Sequence, residues 1–188
     1  MTTSPSDAPA VDAAASGFFA DAADLALDEA AEDRGPDTRT FDRHRVTAVL
    51  VCHDGARWLP RTLDALAGLA LRPARVVAVD TGSTDATAAL LAAAVDPEGT
   101  GLAEVLTLPR TTGFGAAVAH AASAAAPPAT GAADGEPATG DGPVEWLWLL
   151  HDDCAPHPEA LRALLAVADD SPSVGIVGPK VLGWSDPR

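Results

Sequence analysis

The fold is decided by a short apolar run that ends in two carboxylates, Trp146-Leu147-Trp148-Leu149-Leu150-His151-Asp152-Asp153. Five large apolar residues in succession are typical of a parallel strand that is buried on both faces. The acidic pair then lies at the carboxyl end of that strand, where open parallel sheets bind their ligands. Adjacent carboxylates repel each other unless a cation or hydrogen-bond donors lie nearby, and oxygen ligands suit Mg²⁺ or Mn²⁺. For an isolated pair a simpler alternative stays open, in which one aspartate caps the next helix and the other is solvated.

Upstream of this run the chain repeats a strand followed by a helix. Residues 46–52, 76–79 and 104–108 are predicted strands, and the helices that follow them cover 58–69, 86–94 and 115–125. A further helix is predicted to begin near Pro158, and residues 173–178 are predicted to form a fifth strand. Alternation at this spacing indicates right-handed βαβ crossovers. The predicted fold class is therefore α/β, with a mainly parallel sheet between two layers of helices.

Composition limits the class of protein. A chain of 188 residues with 47 % hydrophobic residues is typical of one globular domain. The formal net charge of −15 argues against nucleic acid as a partner, because phosphate binding needs a basic surface. Two cysteines, Cys52 and Cys154, are too few for a disulfide framework and fit a reducing compartment. No apolar run is long enough for a transmembrane helix and no signal peptide precedes the domain, so we predict a cytoplasmic chain.

Two segments have the composition of disordered chain. Residues 1–43 are acidic and rich in Ala, Ser and Pro, and we predict a disordered leader with one weak helix near 18–27. Residues 127–143 are predicted to be a flexible insertion, because they are polar and show no periodicity. The remaining chain, residues 44–188, is the predicted folded domain.

Polar residues follow three of the predicted strands. They are Cys52-His53-Asp54, Asp80-Thr81-Gly82-Ser83 and His151-Asp152-Asp153. Because the carboxyl ends of parallel strands meet at one edge of a sheet, these segments are predicted to share a crevice typical of nucleotide sites. The chain has no glycine-rich phosphate loop, so a bound diphosphate would need a divalent cation. A Ser-His-Asp hydrolase is disfavoured because Ser83 lacks the G-x-S-x-G sequence around it.

Over about residues 45–183 the sequence resembles the N-terminal half of family-2 glycosyltransferases, which have the Rossmann-like GT-A fold. The most specific part is the strand followed by Asp80-Thr81-Gly82-Ser83-Thr84-Asp85, with a second acidic strand end at His151-Asp152-Asp153. The resemblance also covers Gly113-Phe114-Gly115 and Pro158. It implies a nucleoside-diphosphate sugar as donor, and a glycan or a lipid-linked molecule as acceptor.

The resemblance implies roles for individual residues. Asp80 would hydrogen-bond the base of the donor, and Asp152 would touch its ribose or sugar. Asp153 would be the second carboxylate of the metal motif, and His151 stands where the family usually has the first. Imidazole can bind Mn²⁺ but suits Mg²⁺ poorly, so the choice of metal stays open between the two. The other residues that we assign to donor binding are Cys52, His53, Asp54, Gly82, Ser83 and Gly113.

The implied reaction is inverting sugar transfer to an acceptor hydroxyl, in cell-envelope or polysaccharide synthesis. In the family the catalytic base comes from a later segment, so we expect the base beyond Arg188. The chain is then expected to be the truncated donor half of a longer enzyme, and a missing C-terminal part could associate with a membrane. One alternative is a non-catalytic nucleotide-sugar-binding or scaffolding module. Another is a nucleotidyltransferase, but the first loop offers only Gly55 and Arg57 where that class has a basic glycine-rich loop.

Overall fold

The computed structural model describes residues 39–125 and 142–183, which form four strands and four helices. In chain order they are β1 His44–Cys52, α1 Leu59–Ala67, β2 Arg75–Asp80, α2 Thr87–Ala93, β3 Leu102–Thr107, α3 Phe114–Ala125, β4 Val144–His151 and α4 Ala160–Asp170. The chain divides into two units between Thr40 and Phe41, and this fold is that of the second. Most of the predicted leader and insertion lies outside the described residues.

The four strands form one parallel sheet in the order β3-β2-β1-β4. The register aligns the carboxyl ends of the three strands that carry polar tips. Cys52 at the end of β1 lies opposite Asp80 at the end of β2, and Val51 lies opposite His151 at the end of β4. The α/β class and the parallel sheet are therefore confirmed, and the polar tips lie at one level along the same edge.

Helices pack on both faces of the central strands. On one face, Leu50 of β1 and Ala78 of β2 pack against Leu59 and Leu66 of α1 and Leu91 of α2. On the other face, α3 packs against β1 and β2. Small residues at this contact let the helix lie close to the valines of the two strands. These small residues are Ala117 and Ala121, which are one helical turn apart and fully buried.

Core packing begins slightly before the predicted start of the domain at residue 44. Phe41 is buried with Val46 of β1 and with Leu161 and Leu165 of α4. The backbone carbonyl of Phe41 also accepts the N–H of His44, at 2.8 Å. The segment that enters β1 is thereby attached to the last helix of the fold.

Two predictions about strands are wrong in the described residues. β4 is not buried on both faces, because it lies at the edge of the sheet and α3 packs over β1 and β2. The side chains of Leu147 and Leu149 are consequently 47 % and 48 % exposed. Residues 173–178 do not form a fifth strand, and Ile176 among them is 89 % exposed because no neighbouring strand pairs with this segment. None of the described helices has the length and hydropathy that crossing a membrane requires.

Candidate functional site

The loops that follow β1, β2 and β4 meet at the carboxyl edge of the sheet. The backbone N–H of His53 donates to Asp152 Oδ2 at 2.7 Å, which joins the tip of β1 to the tip of β4. His53 Nδ1 lies 2.9 Å from Thr81 Oγ1, which joins the tip of β1 to the tip of β2. The side chain of His53 is 40 % exposed, so its ring lines the crevice between these loops. The predicted convergence of the three tips is thus present in the structure.

Asp80 is the last residue of β2, and its side chain points towards the turn that follows. It is 3 % exposed, and its Oδ1 accepts the backbone N–H of Ser83 at 3.0 Å. Within residues 39–125 and 142–183, no donor is bonded to the second oxygen, Oδ2. Gly82 has φ +70°, and a Cβ there would lie 2.8 Å from the backbone nitrogen of Arg110. The turn therefore needs both a hydrogen-bond acceptor in the side chain of its first residue and a glycine.

Asp54 joins three loops through its carboxylate. Its Oδ1 accepts the backbone N–H of Thr84 at 2.7 Å, and its Oδ2 accepts Arg110 Nη2 at 2.6 Å. Arg110 also donates to the carbonyl of Gly82, at 3.1 Å. The hydrogen bond from Arg110, followed by those from Thr84, holds the pKa of Asp54 well below its usual range. Asp54 stays ionised near neutral pH, and both of its oxygens are occupied by the protein.

Arg110 is the residue of this site that the sequence analysis missed. It lies three residues after the end of β3, behind Leu108 and Pro109. The third strand is therefore also followed by a charged residue at the shared edge. The sequence contained a signal for this residue, because a basic side chain follows one strand while the other strand ends are acidic.

A second cluster combines His151, Asp152 and Asp153, and ligand atoms from these three residues lie within 4.8 Å of one another. Asp152 is the buried member, at 3 % exposure, and Thr62 Oγ1 donates to its backbone carbonyl at 2.8 Å. Gly55 leaves the space that the Asp152 side chain needs, since a Cβ on Gly55 would lie 2.1 Å from Asp152 Oδ2. Asp152 therefore connects the β4 tip with the first loop and with α1.

The other two members of the cluster face solvent. The side chains of His151 and Asp153 are 52 % and 54 % exposed, and His151 Nδ1 lies 2.9 Å from Asp152 Oδ1 and 3.1 Å from Asp153 Oδ1. The ring of Phe114, the first residue of α3, is stacked on His151 with centroids 6.1 Å apart. One imidazole nitrogen with carboxylate oxygens is a donor set that fits Mn²⁺ better than Mg²⁺.

The remaining predicted residues occupy different surroundings. The side chain of Cys52 is packed in the core beside Leu50 and Leu59 rather than at the crevice. Burial, followed by the nearby Asp152 and Asp80, raises the pKa of the Cys52 thiol, so the thiol is neutral. Ser83 Oγ accepts the backbone N–H of Asp54 at 2.9 Å. Gly113 lies just before α3, and a Cβ added there would meet no atom within 4 Å.

Comparisons with known proteins bear on the family and the fold of the chain. The sequence model of the family described as Glycosyl transferase family 2 matches residues 47–183. The structure is similar to that of S. aureus TarS 1-349 in complex with UDP-GlcNAc, at 18 % identity and a TM-score of 0.51, and the match covers 72 % of this chain and 37 % of that one. At this identity the likeness shows the fold. No curated protein sequence matches the chain significantly.

Two further S. aureus structures are similar at lower TM-scores. TarS 1-349 alone matches at 18 % identity and a TM-score of 0.49, over 72 % of this chain and 38 % of that one. A structure of TarS matches at 19 % identity and a TM-score of 0.47, over 67 % of this chain and 20 % of that one. The match thus spans less than two fifths of each of these structures.

Proposed function

The chain belongs to glycosyl transferase family 2, and we propose that it binds a nucleoside-diphosphate sugar for transfer to an acceptor hydroxyl. The observation that carries the proposal is the shared edge of the sheet. There a buried carboxylate with one oxygen unbonded, Asp80, lies two strands from the exposed pair His151 and Asp153. Adjacent strands are about 4.8 Å apart, so these groups are separated laterally by about 10 Å. That span suits a nucleotide with its base at one end and its diphosphate at the other.

In this proposal the base lies at the tip of β2. Asp80 Oδ2 accepts a hydrogen bond from the base, while the bond from Ser83 to Oδ1 holds the carboxylate in place. The imidazole of His53 lines the same pocket, and Gly82 lets the turn after β2 lie against the backbone of Arg110. Asp54 supports the pocket through its bonds to Thr84 and Arg110 rather than by contacting the ligand.

The diphosphate lies at the tip of β4, beside His151 and Asp153. These two residues would hold a divalent cation, and Mn²⁺ suits an imidazole ligand better than Mg²⁺ does. A bound cation would neutralise the charge that develops on the diphosphate when it leaves. The buried carboxylate of Asp152 keeps the two exposed side chains in place through its bond from His53.

The acceptor and its activation are proposed from the family resemblance. We assign the base that would deprotonate the acceptor hydroxyl to a segment beyond Arg188, as the family resemblance implies. The acceptor is proposed to be a glycan or a lipid-linked molecule of cell-envelope or polysaccharide synthesis. The donor half has more support, because S. aureus TarS 1-349, whose fold is similar, forms a complex with UDP-GlcNAc.

A second candidate function is nucleotide-sugar binding without transfer. The observation that favours it is His151, which stands where the family usually has a carboxylate and whose Nδ1 contacts both neighbouring carboxylates. Sugar transfer by this chain to any acceptor would decide against this second candidate.

Calorimetric titration with UDP, with and without Mn²⁺, tests the proposal. Asp80→Ala should weaken UDP binding by about 1–3 kcal/mol, because a donor group of the base loses its buried partner. Asp153→Asn should remove the gain in affinity that Mn²⁺ gives to the wild type, because the cation loses a charged ligand. Asp64→Ala, at an exposed position of α1, is the matched control and should change neither quantity. Binding of UDP that is equally tight without Mn²⁺ would contradict the assignment of the metal site.

A further inference from the structure

Phe114 is an exposed aromatic residue beside the cluster at the tip of β4. It is 42 % exposed, and its ring lies nearly parallel to the imidazole of His151, with an interplanar angle of 22°. The two glycines that flank it, Gly113 and Gly115, have no atom within 4 Å of an added Cβ, so the backbone on either side of Phe114 is not crowded. The phenyl group therefore borders the crevice.

Core packing does not explain this phenylalanine. The contact of α3 with the sheet is made by Ala117 and Ala121, which are fully buried, and Phe114 is not part of that cluster. Because Phe114 is 42 % exposed, it gains only part of the free energy that full burial of an aromatic side chain provides. Its only described ring partner is His151, which our proposal places beside the diphosphate.

The position of Phe114 relative to the nucleotide indicates what its ring could contact. With the base at β2 and the diphosphate at His151 and Asp153, the sugar is attached to the outer phosphate and lies beside this cluster. The ring of Phe114 lies one stacking distance from His151, at 6.1 Å between centroids, and therefore borders the same space. A pyranose ring has one face rich in C–H groups, and aromatic rings commonly line the pockets that hold such ligands.

We propose that Phe114 is the platform on which the sugar ring of the donor rests, with the stacked His151 holding the orientation of the phenyl. This inference rests on the proposed function and adds a specificity-determining residue to it. Because the phenyl contacts the sugar and not the base or the phosphates, its loss should lower affinity for a nucleotide sugar and leave affinity for the nucleotide itself unchanged.

The test compares UDP with UDP-GlcNAc, UDP-glucose and UDP-galactose by calorimetry in the presence of Mn²⁺. For the sugar that adds most affinity over UDP in the wild type, Phe114→Leu should lower affinity about 3- to 10-fold, while affinity for UDP stays within about twofold. Phe114→Tyr keeps the ring and should retain the wild-type ratio. Val167→Ala removes part of an exposed apolar side chain on α4, at 53 % exposure, and serves as the control.

Three outcomes would overturn the inference. Phe114→Leu could weaken UDP and the nucleotide sugar equally, which would make Phe114 a support for His151 alone. The variant could also change neither affinity, or none of the three sugars could add affinity over UDP in the wild type. Failure of the wild type to bind UDP, GDP or dTDP would overturn the proposed function as well, so the two failures are distinguishable.

Discussion

Asp54 shows how one ionised side chain can order several loops at once. Its φ of 49° is in the left-handed region, which aspartate tolerates better than most residues. From that position the carboxylate reaches Thr84 after β2 and Arg110 after β3, while the backbone N–H donates to Ser83. The loops that border the proposed base pocket are therefore held together by a charged group rather than by apolar packing.

The low pKa of Asp54 predicts how this stabilisation depends on pH. A carboxylate whose pKa is depressed by folding stabilises the protein above its unfolded pKa, near 3.9, and the stabilisation is lost as the pH falls from there through the folded pKa. The difference in thermal midpoint between the wild type and Asp54→Asn should thus be constant from about pH 7 to about pH 5 and should shrink below about pH 4. Thermal unfolding of both proteins across this range measures the difference.

A matched substitution controls for the general effect of acid. Asp64→Asn removes an exposed carboxylate from α1 that has no hydrogen bond to a described residue. Its midpoint should follow that of the wild type at every pH. If the difference in thermal midpoint between the wild type and Asp54→Asn increases as the pH falls, folding does not lower the pKa of Asp54.

At the scale of elements, the tip of β4 is fixed by residues from the first loop and from α1. Asp152 accepts the N–H of His53 with its carboxylate and the hydroxyl of Thr62 with its carbonyl. Gly55 provides the space for the Asp152 side chain. The strand that carries the cluster is therefore attached to β1 beyond the hydrogen bonds of the sheet, which keeps His151 and Asp153 in place.

Because of this attachment, we expect a substitution of Gly55 by alanine to lower the stability of the protein. Gly55→Ala should lower the free energy of unfolding by about 1–3 kcal/mol, because the new methyl group would overlap the carboxylate of Asp152 and the tips of β1 and β4 must move apart. Gly115→Ala is the control, since a Cβ there meets no atom and alanine is favoured in a helix by about 1 kcal/mol. Denaturant unfolding measures both, and a Gly55→Ala variant that is as stable as the wild type would show that the loop moves at no cost.

For the whole molecule, the exposed apolar side chains of β4 have the most consequence. Leu147 and Leu149 are both about half exposed on an edge strand, which is the kind of surface that associates with other chains. Lysine substitutions at both positions should remove that tendency and leave the thermal midpoint nearly unchanged, because exposed side chains contribute little to folding.

Sedimentation velocity over a range of protein concentrations checks this expectation. The wild-type chain should sediment faster as its concentration rises, and the variant with both Leu147→Lys and Leu149→Lys should do so much less. Val167→Lys adds one positive charge on α4, at another exposed apolar position, and should behave like the wild type. A wild-type sedimentation coefficient that is independent of concentration would contradict the prediction.

The sequence by itself determined the α/β class, the positions of four strands along the chain and the convergence of three polar strand ends. These features follow from local patterns, since β-branched and apolar runs predict strands and helical spacing of leucines predicts the helices between them. The family could also be recognised, because its most specific residues, Asp80 to Asp85, are contiguous. The roles of the individual site residues remain predictions.

Only the tertiary structure decided which of these residues are buried and which are exposed. Asp152 and Asp153 are adjacent in sequence, yet one is enclosed by Gly55, His53 and Thr62 while the other faces solvent. The apolar run of β4 predicted a strand correctly but not its burial, which depends on whether a helix and a further strand cover it. Arg110 reaches Asp54 across 56 positions of sequence. Burial and pairing of this kind arise from residues distant in the chain, so no local pattern contains them.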